Sequence, residues 1–305
     1  MSFEQQIRDA ESTLFDRYHV KSDESFVELA TSKLRLRVLS VGSGPDLVML
    51  HGVTLAAAIW APWLSELAGY RTHLVELPGH GLSDPVSYRI GSVREHTIGV
   101  LDDLFDSLGL DAPSVVGHSL GGMFALWHAA SRPGRIASLV AIGEPAAALP
   151  GVQVRMPLSL LTVRGLGRVV LSSPSTRATY RRILAHGLSP SAACAMPNEL
   201  VDILRSVGRR KGNAATVASL MHAIDGFRRP RPETVMSDAE LARIEAPTLF
   251  CLGRDDPFLS PQLARPAVAK IPGAILHEVV GGHAPWFEDP AGCAKLVGDH
   301  QGAVR

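Results

Sequence analysis

The chain has 305 residues, 46% of them hydrophobic and 20% charged, and its 30 Lys and Arg balance 30 Asp and Glu. A neutral chain of this length buries about three quarters of its unfolded surface, enough for one large core with an added lobe. No apolar stretch reaches the roughly 18 residues of a membrane helix, the charged start is unlike a signal peptide, and no nucleic-acid motif, repeat or low-complexity tract is evident, so a membrane span and a nucleic-acid partner are not expected and the expected location is cytoplasmic.

In chain order, Phe3, Ile7, Ala10, Leu14 and Tyr18 recur at near-helical spacing and predict an amphipathic helix over 3–18 that packs on the core. The mixed stretch 26–30 and the alternation over 34–41 predict two antiparallel edge strands. The runs 47–50, 72–77, 114–116 and 137–142 read as strands buried on both faces, and helical patterns at about 91–109 and 120–132 lie among them. This alternation predicts a doubly wound sheet with its ligand at the carboxyl ends of the strands. From about 146 to 231 it gives way to several helical patterns punctuated by Gly and Pro. Two further runs, 247–252 and 275–280, again read as buried strands.

Charge is divided unevenly. Residues 148–232 hold 13 Lys and Arg against 3 Asp and Glu, while the remainder holds 17 against 27, so this segment stands near +10 and the rest near −10. Either the arginines coat an outer face and pair with the acidic core, or some of Arg155, Arg164, Arg168, Arg181, Arg182 and Arg209 attract an anionic substrate or an acidic carrier protein. The cysteines, Cys194, Cys251 and Cys293, lack metal-ligand spacing and are odd in number, which predicts buried thiols rather than a disulfide framework.

Chemistry concentrates in three turns. Gly117-His118-Ser119-Leu120-Gly121-Gly122 joins a strand to a helix, the geometry that pushes a serine hydroxyl clear of a sheet. Upstream, 47–50 ends in His51-Gly52-Val53-Thr54, where the Val53 amide can lie beside that of Leu120 and form a two-donor oxyanion hole. Downstream, one run ends in Gly253-Arg254-Asp255-Asp256 and the other in Gly281-Gly282-His283. The order serine, acid, histidine is that of a nucleophile-elbow hydrolase. A hydroxyl is a poor nucleophile until a base takes its proton, and His283, in a Gly-Gly loop after the terminal strand, is the candidate base. His51 and His118 are explained by their loops, His277 by its strand and His300 by the last helix. Trp60, Trp63 and Trp286 either wall an acyl pocket or simply pack.

With these segments and the stretch 77–84 in order, the chain resembles the α/β-hydrolase superfamily over nearly its whole length. The resemblance implies a mostly parallel eight-stranded sheet with a helical cap inserted after the sixth strand. The expected division is a core over 1–147, a cap over 148–235 and the rest of the core over 236–305. Asp256 matches the family's G-x-x-D loop and is the first candidate for the triad acid; Asp255 beside it and Glu144, after the sixth strand, are the alternatives. His80 and Ser83 match a structural turn of the family. The implied activity is cofactor-free cleavage of a carboxylic ester, thioester or lactone through an acyl-enzyme, by Ser119, His283 and Asp256 with the Val53 and Leu120 amides. The substrate would be a small acyl compound, anionic or carrier-bound where the basic segment meets it; no metal is implied. A serine at the elbow argues against epoxide hydrolases and haloalkane dehalogenases, which attack with a carboxylate. Carbon-carbon bond hydrolysis, a lyase or a perhydrolase on the same triad, and a non-catalytic ligand-binding fold, are the alternatives.

Overall fold

A computed structural model describes residues 2–304. Ser2 caps α1 (Phe3–Arg17), its side chain accepting from the Gln5 amide. Five strands follow: β1 (Ser22–Glu28), β2 (Arg35–Val41), β3 (Asp46–Leu50), β4 (Arg71–Val75) and β5 (Ser114–His118), with α2 (Val93–Ser107) between the last two. Next come α3 (Leu120–Ser131) and β6 (Ser138–Ile142), then α4 (Leu166–Ser172), α5 (Arg177–Gly187), α6 (Pro190–Ala195), α7 (Asn198–Val207), α8 (Asn213–Ile224) and α9 (Asp238–Leu241). The chain closes with β7 (Thr248–Gly253), α10 (Pro261–Val268), β8 (Ile275–Val279) and α11 (Pro290–Val304).

The strands form one eight-stranded sheet in the order β1-β2-β4-β3-β5-β6-β7-β8. β2 pairs antiparallel with both β1 and β4; all other pairings are parallel. The sequence expectation that β2 lies at an edge is therefore corrected, because its second face of hydrogen bonds is taken by β4. The expectation of a doubly buried last strand is corrected as well. β8 is the far edge, with Ile275 49% exposed: β7 pairs with one side, and among the described residues no strand pairs with the other.

Side chains alternate between the faces of the central strands, as a period of two requires. Val48 and Leu50 of β3 join the core built with α2 and α3, where Phe105, Phe124 and Trp127 pack. Leu47 and Met49 join the opposite core, with Trp60, Trp63, Trp286 and Val297. Both sides of β3 are thus apolar, which is why its sequence reads as an unbroken run. The inserted helices serve both layers: Leu220 and Ile224 of α8 belong to the first core, Leu200 and Leu204 of α7 to the second. Among the described residues no helix is long and apolar enough to cross a membrane.

One ionic knot ties α1 to the sheet. Arg37 of β2, 2% exposed, donates to Glu11 at 3.0 Å and to Glu76 at 3.5 Å, and also pairs with Glu24 of β1. Burial pushes the Glu76 carboxyl up to about 7 despite the arginine beside it. The Arg37→Met variant would leave three carboxyls facing one another around an apolar side chain. A loss of about 3–5 kcal/mol at neutral pH is expected, as for other broken buried ion pairs. In that variant the carboxyls hold their protons more tightly folded than unfolded, so the deficit should shrink as pH falls toward 4, which urea titrations at pH 4.5 and 7.5 would measure.

Candidate active site

The centre of the sheet is where its connections part. From β3 the chain crosses to β4 on one side, while β5 lies on the other, so the loops leaving β3 and β5 open a crevice at their carboxyl ends. Leu50 pairs with Gly117, and the two loops leave the sheet side by side. One carries Val53, the other Ser119 and Leu120.

Ser119 occupies the turn between β5 and α3 with φ 50° and ψ −112°, a left-handed region that costs a non-glycine residue about 1–3 kcal/mol. The two flanking glycines are required by space. A Cβ on Gly117 would lie 2.6 Å from the backbone of Gly122, and one on Gly121 would lie 2.2 Å from the Leu50 carbonyl oxygen. Leu120 is the first residue of α3, where an amide has no intrahelical acceptor. Among the described residues neither its N–H nor that of Val53 has a hydrogen-bond acceptor.

The Val53 loop is held on both sides by neutral histidines. His51 donates from Nδ1 to the Gly52 carbonyl and accepts the Leu77 amide at Nε2, 3.2 Å away. His80 donates from Nδ1 to the Pro78 carbonyl and accepts the Thr54 amide at 3.3 Å. Burial lowers His51 to about 3 and His80 to about 4, so each keeps one donor and one acceptor nitrogen across the working pH range. Ser83 donates to the Glu76 carbonyl and accepts the Arg37 amide. These residues have structural work, in line with the sequence reading of 77–84.

His283 and Asp256 meet. The His283 Nδ1 lies 2.8 Å from Asp256 Oδ2, with both side chains nearly fully buried. The carboxylate also accepts the amides of Glu144 and Phe258, each at 3.0 Å, so three donors face it. Asp255, by contrast, is exposed. Glu144 reaches the site through its main chain, while its side chain holds no hydrogen bond at Oε1. Burial, and then the charges of Asp256 and Asp225, hold its carboxyl well above the usual range. Of the three candidate acids, only Asp256 contacts His283.

The His283 loop has further supports that sequence reasoning did not single out. His118 Nε2 donates to the His283 carbonyl at 3.0 Å, and the rings lie 4.8 Å apart. The His283 amide donates to the Leu188 carbonyl at 2.8 Å, a bond to the end of α5 in the insertion. The Phe258 ring stands edge-on to the imidazole at 4.7 Å. A histidine beside the elbow serine was the available signal for His118; nothing near Leu188 or Phe258 in sequence marks either.

Ser119, His283, Val53 and Leu120 line one cavity, with apolar walls that include Val152, Leu158, Leu184, Met221 and Ile224. Trp60, Trp63 and Trp286 do not line it. They stack on one another, centroids 4.7 to 5.9 Å apart, behind His118, so their role is packing. Of the arginines, Arg155 lines the cavity. Arg181 donates to the Ala193 and Met196 carbonyls, and Arg209 lies over the Phe3 ring at 4.5 Å, so these two stitch helices together. Arg164, Arg168 and Arg182 are exposed. Cys251 and Cys293 are buried as expected, whereas Cys194 is exposed, because it lies on the outer side of α6.

A profile of the alpha/beta hydrolase fold family matches residues 45–290. A Cupriavidus pinatubonensis protein, 2-hydroxy-6-oxononadienedioate/2-hydroxy-6-oxononatrienedioate hydrolase, is 31% identical over 255 residues, covering 81% of this chain and 83% of its own. A pimeloyl-[acyl-carrier protein] methyl ester esterase of Stenotrophomonas maltophilia is 31% identical over 251 residues, 81% of this chain and 88% of its own. Among solved structures, carboxylesterase CesB of Bacillus subtilis superposes with a TM-score of 0.76 at 21% identity, covering 97% of this chain and 96% of that one.

Asp225, at the end of α8, also lines the cavity; burial raises its carboxyl to about 7, with Arg231 pulling the other way. An acid raised on folding contributes stability that is fully present below its unfolded value near 4 and is lost as pH rises through the folded value. Asp225→Asn should therefore raise the melting midpoint more at pH 8 than at pH 5, by an extra roughly 1–3 kcal/mol, which is several degrees for a chain of this size. Calorimetric scans of both proteins at the two pH values check it; an equal change at both would reject the assignment.

Proposed function

The chain belongs to the α/β-hydrolase family, and on that premise we propose that it cleaves a carboxylic ester of a mainly apolar acyl group, or the related thioester or lactone, through a covalent acyl-enzyme. The observation that carries this reading is the convergence of Ser119, the bonded pair His283 and Asp256, and two amides without acceptors on one apolar cavity.

In the proposed reaction His283 Nε2 takes the Ser119 hydroxyl proton as Oγ bonds to the carbonyl carbon. The carbonyl π pair moves onto oxygen, which the Val53 and Leu120 amides bind; one such donor is worth about 10² to 10³ in turnover. The pair returns, the bond to the leaving oxygen or sulfur breaks, and the imidazolium gives that atom its proton. Water repeats the sequence on the acyl-enzyme and frees the acid and the serine. Asp256 fixes the Nδ1–H tautomer and stabilises the imidazolium, without taking the proton itself.

The insertion over 148–235 acts in this reading as a cap. Its apolar residues, Val152, Leu158 and Leu184 among them, cover the reacting carbonyl and keep bulk water from it. Arg155 at the same cavity is the residue best placed to meet an anionic or carrier-linked part of a substrate, a possibility the esterase relative supports. A second reading, hydrolysis of a carbon-carbon bond next to a ketone, is favoured by the name of the Cupriavidus relative.

Intact mass after treatment with a fluorophosphonate should show a single adduct on the wild type and none on Ser119→Ala, whose kcat should fall by about 10⁴ or more. No adduct on the wild type would favour a non-catalytic ligand-binding fold. Alkyl esters of graded length compared with vinylogous diketones separate the two chemistries. Preference for the esters is expected, and preference for the diketones would replace the ester reading by the carbon-carbon one.

A further inference from the structure

The apolar cavity has a polar break. Glu144, 1% exposed and just beyond β6, and Asp225, 7% exposed at the end of α8, both line it. Each keeps a buried oxygen, Glu144 Oε1 and Asp225 Oδ1, without any hydrogen-bond partner. Orphaned buried polar atoms cost about 1–3 kcal/mol each and are rare in folded proteins. Two of them at the wall of one ligand cavity, from elements far apart in sequence, mark a place where a ligand supplies the partners.

We propose that Glu144 and Asp225 form a subsite for a hydroxyl group on the acyl chain of the substrate, Glu144 donating a hydrogen bond to it and Asp225 accepting one. The inference rests on the hydrolase reading above and names its substrate class. The Glu144 main chain already donates to the Asp256 carboxylate, so a second anion beside that group is disfavoured and Glu144 keeps its proton, which makes it a donor. Asp225, whose carboxyl lies near neutrality, takes the acceptor role. A hydroxyl on the acyl chain both accepts from one and donates to the other. An ammonium has donors only and would leave the Glu144 O–H without an acceptor; a carboxylate would face Asp225; a methylene would leave both oxygens orphaned.

The test compares p-nitrophenyl octanoate with its monohydroxy isomers and with an amino-substituted counterpart. One hydroxy isomer should exceed the parent about tenfold in kcat/KM, the size of one well-made buried hydrogen bond. Glu144→Ala and Asp225→Ala should each bring the ratio of that isomer's kcat/KM to the parent's from about tenfold down to about one. Glu144→Gln, which still donates and accepts, should keep most of the preference. Absence of any preferred isomer, preference for the amino ester, or equal losses on parent and hydroxy ester would each overturn the subsite. Failure to turn over any ester would count against the hydrolase reading alone. Calorimetric binding of the same hydroxylated and parent octanoate methyl esters to Ser119→Ala then decides the subsite: about tenfold tighter binding of one isomer supports it, and equal binding overturns it.

Discussion

The close approach of α3 to the end of β3 is the constraint on which the site depends. With Gly121 packed against the Leu50 carbonyl and Gly117 against Gly122, the first turn of α3 lies directly over the β3–β5 pair. Ser119 is thereby forced into a left-handed conformation, and its neighbour's amide is left free at a helix start. A side chain at either glycine would collide with backbone and force helix and strand apart. The serine turn is thus a product of backbone packing first and of chemistry second.

Around that turn the protein arranges its ionisable groups by burial. His51, His80 and His118 are all driven toward the neutral form, which suits His51 and His80 as fixed donor and acceptor pairs and His118 as a donor to the His283 carbonyl. Asp256 receives two amides and an imidazole and is the carboxylate best provided with donors in the site. Glu144 and Asp225 receive none at the oxygens noted above, and both shift toward the protonated form. Burial drives both of these shifts, and the charges of Asp256 and Asp225 raise Glu144 further.

Much of the architecture was legible because burial on both faces leaves an unbroken apolar run, as in β3, β5 and β7, and because the elbow needs glycines at fixed offsets. Where an element's environment is decided by a partner strand, local sequence was silent. β2 looked like an edge although β4 pairs with it, and β8 looked interior although it ends the sheet. The acid was narrowed to three residues by motif, but its contact with His283 is a property of the folded loops. Asp225 carried no signal at all, since a lone acid at a helix end reads as solvated until the rest of α8 is seen packed in the core.

The bond from the His283 amide to the Leu188 carbonyl joins the loop bearing the imidazole to the inserted helices. Those helices also form part of the cavity wall. Widening the entrance by swinging the end of α5 outward must therefore either drag the imidazole loop along or sever that tether. Admission of a bulky ligand and alignment of the ring share one mechanical joint, and a conformer gaping enough to let such a molecule through that hinge is also one in which the imidazole has lost an anchor.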